Sequence, residues 1–244
     1  MSGYWLIIIV LVCIDGYSVD IYCKTYHHAA MARAAQIQRD RAAQILRERG
    51  VVRLREFVSA GITATTIARM EKAGEVNRLG RGIYQLPDAP TSLHHDLAIV
   101  AKVVPSSVVC LVSALAFHEL TDIIPSRVWI AIGPKDRKPS LAYPALQVLR
   151  FSDKHLRSGI EHHQIDGVDV SITAAARTIV DLFRYRQAEG RRFSSSPGLN
   201  IALEGLREAL RQRKATPADI ARCAEQMGAW TVVRPYLEAM STNA

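Results

Sequence analysis

The sequence predicts an α+β protein: an N-terminal winged helix-turn-helix followed by a mixed α/β domain with a helical C-terminal part. Three observations predict it. Three short helical patterns between residues 40 and 74 run directly into two strand-like runs around a Gly-Arg-Gly turn. A proline-rich break, PDAPTS, follows at residues 87–92. Beyond the break, strand-like runs alternate with helical ones, and the last seventy residues read as helix.

The first helix is the stretch DRAAQILRER, in which Ala42, Ile45 and Leu46 share a face and Gly50 stops the pattern. In LREFVSAG, Leu54, Phe57 and Val58 point inward and Gly61 breaks the helix. TATTIARMEKAG supplies the third, with Thr63 as N-cap and Gly74 as C-terminal stop. Val76–Leu79 and Ile83–Leu86 then read as strands, with Gly80-Arg81 filling a two-residue turn beside Gly82. Three helices and a hairpin is the winged-helix order. After the break, residues 95–103 and 113–120 read as helices, and 128–133 and 146–151 as strands. Residues 160–172 read as a hairpin turning at Asp166-Gly167. The pattern is helical over 174–186, 200–213, 217–227 and 230–240, with the polar EGRRFSSSPG as a linker.

The chain has 244 residues, enough for one large domain or two small ones, and 49% of them are hydrophobic. The expected division is 1–30 as an extension, 31–90 as the winged helix and 91–244 as the second domain. Residues 1–30 hold no arginine and a single lysine, Lys24, yet four of the eight tyrosines. This shift marks them as a non-native, upstream-translated or disordered extension, with the fold beginning after Met31. Their apolar run, Tyr4–Ile14, is shorter than the roughly twenty residues of a membrane span, and no basic segment of a secretory signal precedes it. The four cysteines form no CxxC pair, which fits a reducing cytoplasm rather than a disulfide framework or zinc site. No membrane role is expected.

The formal charge is +8, which favours an anionic partner. Residues 31–90 carry eleven Lys/Arg against six Asp/Glu. At about 100° per residue, Thr65, Arg69 and Lys72 fall in one sector of the third helix, with Thr66 beside them, and Ile67 and Met70 lie opposite. A solvated amphipathic face explains such a helix taken alone. Arg78 and Arg81 on the following hairpin add weight to a DNA-binding reading. Arginine and lysine meet guanine edges in the major groove, and threonine meets phosphate or a thymine methyl. Glycines at 80 and 82 let the turn approach a phosphate backbone closely, and arginine at its tip grips phosphate or enters a narrow minor groove. The tail is basic as well, with nine Lys/Arg against four Asp/Glu from Arg184 to Arg222, a pattern that also serves plain solubility.

Catalytic chemistry finds little support. Glu161, Asp166 and Asp169 share one hairpin, but no lysine completes a nuclease-like E-x-K, and Asp166-Gly167 is turn chemistry. Phosphate-loop and dinucleotide fingerprints are missing. The adjacent pairs His27-His28, His94-His95 and His162-His163 point apart, and His118 sits in an apolar run. The expectation is no catalytic residue, no metal ligand and no cofactor.

Three blocks in order, MEKAGEVNRLGRGIYQLP, SALAFHELTDIIPSRVWIAI and VSITAAARTIVDLFRY, resemble the AbiEi antitoxins of bacterial type IV toxin–antitoxin systems, over residues 39 to 240. Gly74, Arg81, Gly82 and Tyr84 match the wing. Ser113, Ala114 and Leu115 match the start of the second domain's helix, and Arg177, Thr178 and Asp181 the later helical block. The resemblance implies a cytoplasmic autorepressor that binds double-stranded promoter DNA through its winged helix. It implies a C-terminal domain that joins in repression and neutralises an AbiEii-type nucleotidyltransferase toxin without a stable complex. Arg177 and Asp181 read as an i, i+4 structural pair worth a few tenths of a kcal/mol if exposed. The alternatives are a stand-alone winged-helix regulator with a sensory second domain and, more remotely, a metal-dependent nuclease.

Overall fold

A computed structural model of the chain describes residues 19–89, 92–141, 143–185 and 197–241, with side chains from residue 29 onward. The first element, α1, is longer than the sequence suggests. It spans Val19–Arg49 without a break at Met31, so the expected extension is helical over its last twelve residues. The change in composition there is a change in side chains, not in backbone. The apolar run Tyr4–Ile14 lies outside the described residues. Residues 29–34 are exposed all round, and the first residue that α1 buries is Ala42, followed one turn later by Leu46.

Gly50, at φ 65°, ends the helix and turns the chain into β1 (Val52–Arg53), a strand too short to be read from sequence. Next come α2 (Leu54–Ser59), α3 (Ala64–Lys72), β2 (Asn77–Gly80) and β3 (Ile83–Gln85). The three strands pair antiparallel in the order β1-β3-β2, which is the topological order expected of a winged helix. Thr63 caps α3 by accepting from the Thr66 N–H, and Gly74 leaves it at φ 72°. Ala42, Leu46, Val52, Phe57, Ile62, Ile67, Met70, Val76 and Tyr84 form one apolar cluster, in which the Tyr84 ring meets Phe57 edge-on. One turn differs from expectation. Gly80 is the last strand residue, paired with Ile83, and the two turn residues are Arg81 and Gly82. Gly82 carries the positive φ, 70°, so the glycine that the backbone requires follows the arginine.

The second half is a five-stranded mixed sheet covered on both faces. It begins with α4 (His95–Val103), β4 (Val108–Val109) and α5 (Leu111–Phe117), and continues with β5 (Val128–Ile132) and β6 (Leu146–Arg150). A short α6 (Asp153–Arg157), unread in the sequence, precedes the hairpin β7 (Ile160–Ile165) and β8 (Val168–Thr173). The strand order is β6-β5-β4-β8-β7. The helices α7 (Ala175–Tyr185), α8 (Gly198–Arg211), α9 (Pro217–Gln226) and α10 (Trp230–Ser241) close the fold. Most of the expected polar linker lies outside the described residues; its last residue, Gly198, opens α8.

Strand β5 is buried throughout, and its alternation divides the core. Trp129 and Ala131 face the cluster built from α7 to α10. Val128, Ile130 and Ile132 face the cluster that holds α4. That second cluster also takes in Val51 and Ile83 of the N-terminal unit, so the apolar interior is continuous across the expected boundary at residue 90.

The Arg177–Asp181 pair is deeply buried, unlike the exposed case that makes such pairs cheap. Both side chains are 1% exposed, with Arg177 Nε 2.7 Å from Asp181 Oδ2. Arg177 Nη1 donates to the carbonyls of His155 and Ser158, tying α7 to the end of α6. Its guanidinium lies 5.6 Å from the Phe151 ring centre. Burial pushes the Asp181 carboxyl up, and the arginine pulls it back. Arg177→Met therefore strands a buried carboxylate and lowers unfolding stability by about 3–5 kcal/mol in a urea titration. Adding Asp181→Leu removes the orphaned charge and recovers most of the loss. A double variant no more stable than the single one would assign the cost to packing instead.

Candidate nucleic-acid interface

Helix α3 presents the face that its spacing predicts, with one exception. Thr65, Arg69 and Lys72 are exposed, while Ile67 and Met70 are fully buried. Thr66 is the exception and leaves the candidate surface. It is 7% exposed, its hydroxyl donates to Gln38 Oε1 at 2.7 Å, and it lies 2.9 Å from the Thr63 hydroxyl. The residue holds α3 against α1. No local signal reveals this, because Gln38 lies 28 positions upstream.

Among the described residues, neither Arg69 nor Lys72 takes part in an ion pair, so the cationic face is unneutralised. Helix α1 frames it. Arg39 is held by a bidentate pair with Glu75, and a hollow of about 150 Å³ lies between Ala35, Arg39, Thr66 and Arg69. This contribution from α1 was missed in the sequence, since the pattern there reads only as packing.

The hairpin separates its two arginines. Arg81 stands exposed on the turn, with no ion pair among the described residues. Arg78, though exposed, curls back: its Nε donates to the Gly80 carbonyl at 3.2 Å, and its Nη1 lies 3.9 Å from Glu71 Oε1. The Glu71 carboxylate thus tempers Arg78 but not Arg81. Tyr84, paired with Arg78 across the strands, has its phenol pushed up by burial.

Behind this surface lies a tight joint. A Cβ on Gly50 would stand 2.6 Å from the Asp166 carbonyl oxygen, and one on Gly167 would stand 3.0 Å from that of Arg49. The end of α1 therefore rests backbone-on-backbone against the β7–β8 turn. His95 bridges the same place, with Nδ1 2.6 Å from Asp166 Oδ2 and Nε2 3.0 Å from Gln85 Oε1. Arg53 donates to the Lys102 carbonyl, and the Lys102 ammonium reaches Glu56 at 3.1 Å. A cleft of about 590 Å³ opens beside the joint, lined in part by Arg47, Gln85, Asp88, His95 and Asp166.

The residues weighed for catalysis are dispersed into separate contacts. Asp166 faces His95 in the joint, Asp169 meets His162 at 3.1 Å, and Glu161 meets His163 at 3.1 Å. His118 Nε2 bonds the Thr173 carbonyl at 2.7 Å, and burial pushes its pKa down. Burial raises the thiols of Cys110 and Cys223, away from thiolate chemistry. Among the described residues, no group of three or more His, Cys, Asp or Glu is placed to hold a metal ion, and no helix is long and apolar enough to cross a membrane. The side chains of His27 and His28 lie outside the description.

Gly50→Ala places a methyl on the Asp166 carbonyl in a left-handed backbone, and costs about 1–3 kcal/mol in chemical unfolding. Gly61→Ala is the control, because Gly61 also has positive φ, 81°, but nothing lies within 4 Å of its added Cβ. Gly50→Ala is expected to be the more damaging. Equal losses would reduce the joint to backbone strain.

The fold is similar to that of a solved structure, the RV2827C protein from Mycobacterium tuberculosis. The match has a TM-score of 0.53 at 13% identity and covers 81% of this chain and 75% of that one. No curated protein matches the sequence. Residues 40–87, which run from the buried part of α1 through the hairpin, match a family of transcriptional regulators, the AbiEi antitoxins.

Proposed function

We propose that the chain is a DNA-binding antitoxin that binds and represses its own promoter through α3 and the β2–β3 hairpin. The part beyond residue 90 is proposed to neutralise an AbiEii-type nucleotidyltransferase toxin. One observation carries the DNA part. Within the segment that matches the regulator family, Arg69 and Lys72 share an exposed face and take part in no ion pair among the described residues, beside a turn tipped by Arg81. Thr65 lies on the same face and is suited to a phosphate or thymine-methyl contact. Gly80 and Gly82 keep the turn slim enough to lie against a sugar-phosphate backbone. Arg78 contributes less, because it is already engaged along its own strand. No step of this reading requires bond making, a metal or a cofactor.

The family match ends at residue 87, which supports keeping a second reading for the remainder: a regulator whose larger part senses something other than a toxin. Co-expression with the neighbouring gene product distinguishes the two. Rescue of growth by the full chain supports the antitoxin reading, and lack of rescue favours the sensor.

The DNA reading has a quantitative signature. Affinity for the promoter duplex should fall steeply with salt, with roughly 0.9 counterions released per neutralised phosphate. Arg69→Ala or Lys72→Ala should cost about 1–3 kcal/mol and relax base preference if the residue reads a base. Arg81→Ala should weaken all duplexes alike. Wild-type repression by all three variants would refute docking through α3 and the wing.

A further inference from the structure

The cleft of about 590 Å³ beside the joint has the size of a small-molecule site, and none of its lining residues is among those proposed to meet DNA. A gap where two parts of a chain meet is ordinarily filled by water. Three features of the lining set this one apart.

The first is Gln85, which lines the cleft although only 6% of it is exposed. Its Oε1 lies 3.0 Å from His95 Nε2, which occupies one end of the amide. The other end, Nε2, has no hydrogen-bond partner among the described residues. A donor so far from bulk water is costly to leave unmade, and it marks a place for an acceptor atom.

The second is the balance of charge. Three carboxylates line the cleft. Asp166 is answered by His95, and Glu48 accepts from Gln44 Nε2 at 3.0 Å. The exposed Asp88 has neither an ion pair nor a side-chain hydrogen bond among the described residues. The same is true of the exposed Arg47 on α1. Both residues also border the hollow next to the cleft, yet they form no ion pair with each other. The cleft therefore keeps one uncommitted cation and one uncommitted anion. The third feature is an apolar wall made by Leu46, Val51 and Leu86.

We propose that this cleft binds a free α-amino acid with a large apolar side chain. The ligand carboxylate accepts from Gln85 Nε2 and pairs with Arg47, its ammonium pairs with Asp88, and its side chain lies on Leu46, Val51 and Leu86. A simple anion would leave Asp88 unanswered, and a simple cation would leave Arg47 and Gln85 so. A zwitterion answers all three. The walls come from both sides of the joint, α1 and β3 on one and His95 with the β7–β8 turn on the other, so an occupant bridges them. The proposal does not depend on the DNA reading, and either can fail without the other.

The test is calorimetric titration of the full chain with L-phenylalanine, beside 3-phenylpropionate, which lacks the ammonium, and 2-phenylethylamine, which lacks the carboxylate. L-Phenylalanine is expected to bind saturably, and each analogue about tenfold more weakly for want of a charge-assisted contact. Arg47→Gln should weaken L-phenylalanine about tenfold and leave 2-phenylethylamine unchanged. Asp88→Asn should weaken L-phenylalanine to a similar degree and leave 3-phenylpropionate unchanged. Both residues are exposed, so neither change threatens the fold. Absence of saturable binding at millimolar L-phenylalanine overturns the proposal. So does equal affinity for L-phenylalanine and its two analogues. Unchanged L-phenylalanine affinity in both variants places any binding outside this cleft and overturns it as well.

Discussion

The end of α1 lies so close to the β7–β8 turn that no side chain fits between them. Gly50 and Gly167 each face a carbonyl oxygen of the other strand of chain, at the distances where a Cβ would collide. Both residues also need positive φ, so glycine is required twice over. Around this contact gather His95 between Gln85 and Asp166, Arg53 on the Lys102 carbonyl, and Val51 and Ile83 in the core of the larger sheet. The N-terminal unit of α1 to β3 is therefore seated on the sheet, not strung from it. Its orientation is fixed by backbone geometry and apolar burial, with the polar contacts choosing among nearby alignments.

That seating explains the distribution of charge. The groups that face the joint are paired: Glu56 with Lys102, Asp166 with His95. Among the described residues, three cations that face outward from α3 and from the turn are not. Arg69, Lys72 and Arg81 keep their full charge at the surface, where a polyanion can release counterions by replacing solvent. The deep Arg177–Asp181 pair plays no part in this surface. It ties α7 to α6 inside the helical layer, and is expensive to disturb for the same reason that it is costly to bury.

Much of the fold was legible because its signals are local. The Thr63 cap, the Gly74 stop, the Asp166-Gly167 turn and the alternating β5 each depend on neighbours within a few residues. What escaped depends on partners far along the chain. Thr66 sits beside Thr65 in sequence, yet Gln38 draws it under the helix. Spacing places Arg177 and Asp181 on one helix face, but says nothing of the layers that cover it. Strands β1 and β4, of two residues each, are made only by their pairing with β3, β5 and β8. The break in composition at Met31 suggested an end to the fold, whereas helix formation depends on the backbone and continues through it. Of the candidate site, the exposed face of α3 and the arginine at the turn were readable. The joint behind them was not, because it arises from contacts across more than fifty residues.

The central claim, that DNA is gripped by α3 and the wing, is tested most directly by backbone hydrogen exchange of the full chain, free and bound to its promoter duplex. The account predicts slowed exchange on binding over residues 64–82, with little change in residues 198–241. Protection confined to the basic helices of 198–241, with 64–82 unchanged, would contradict it.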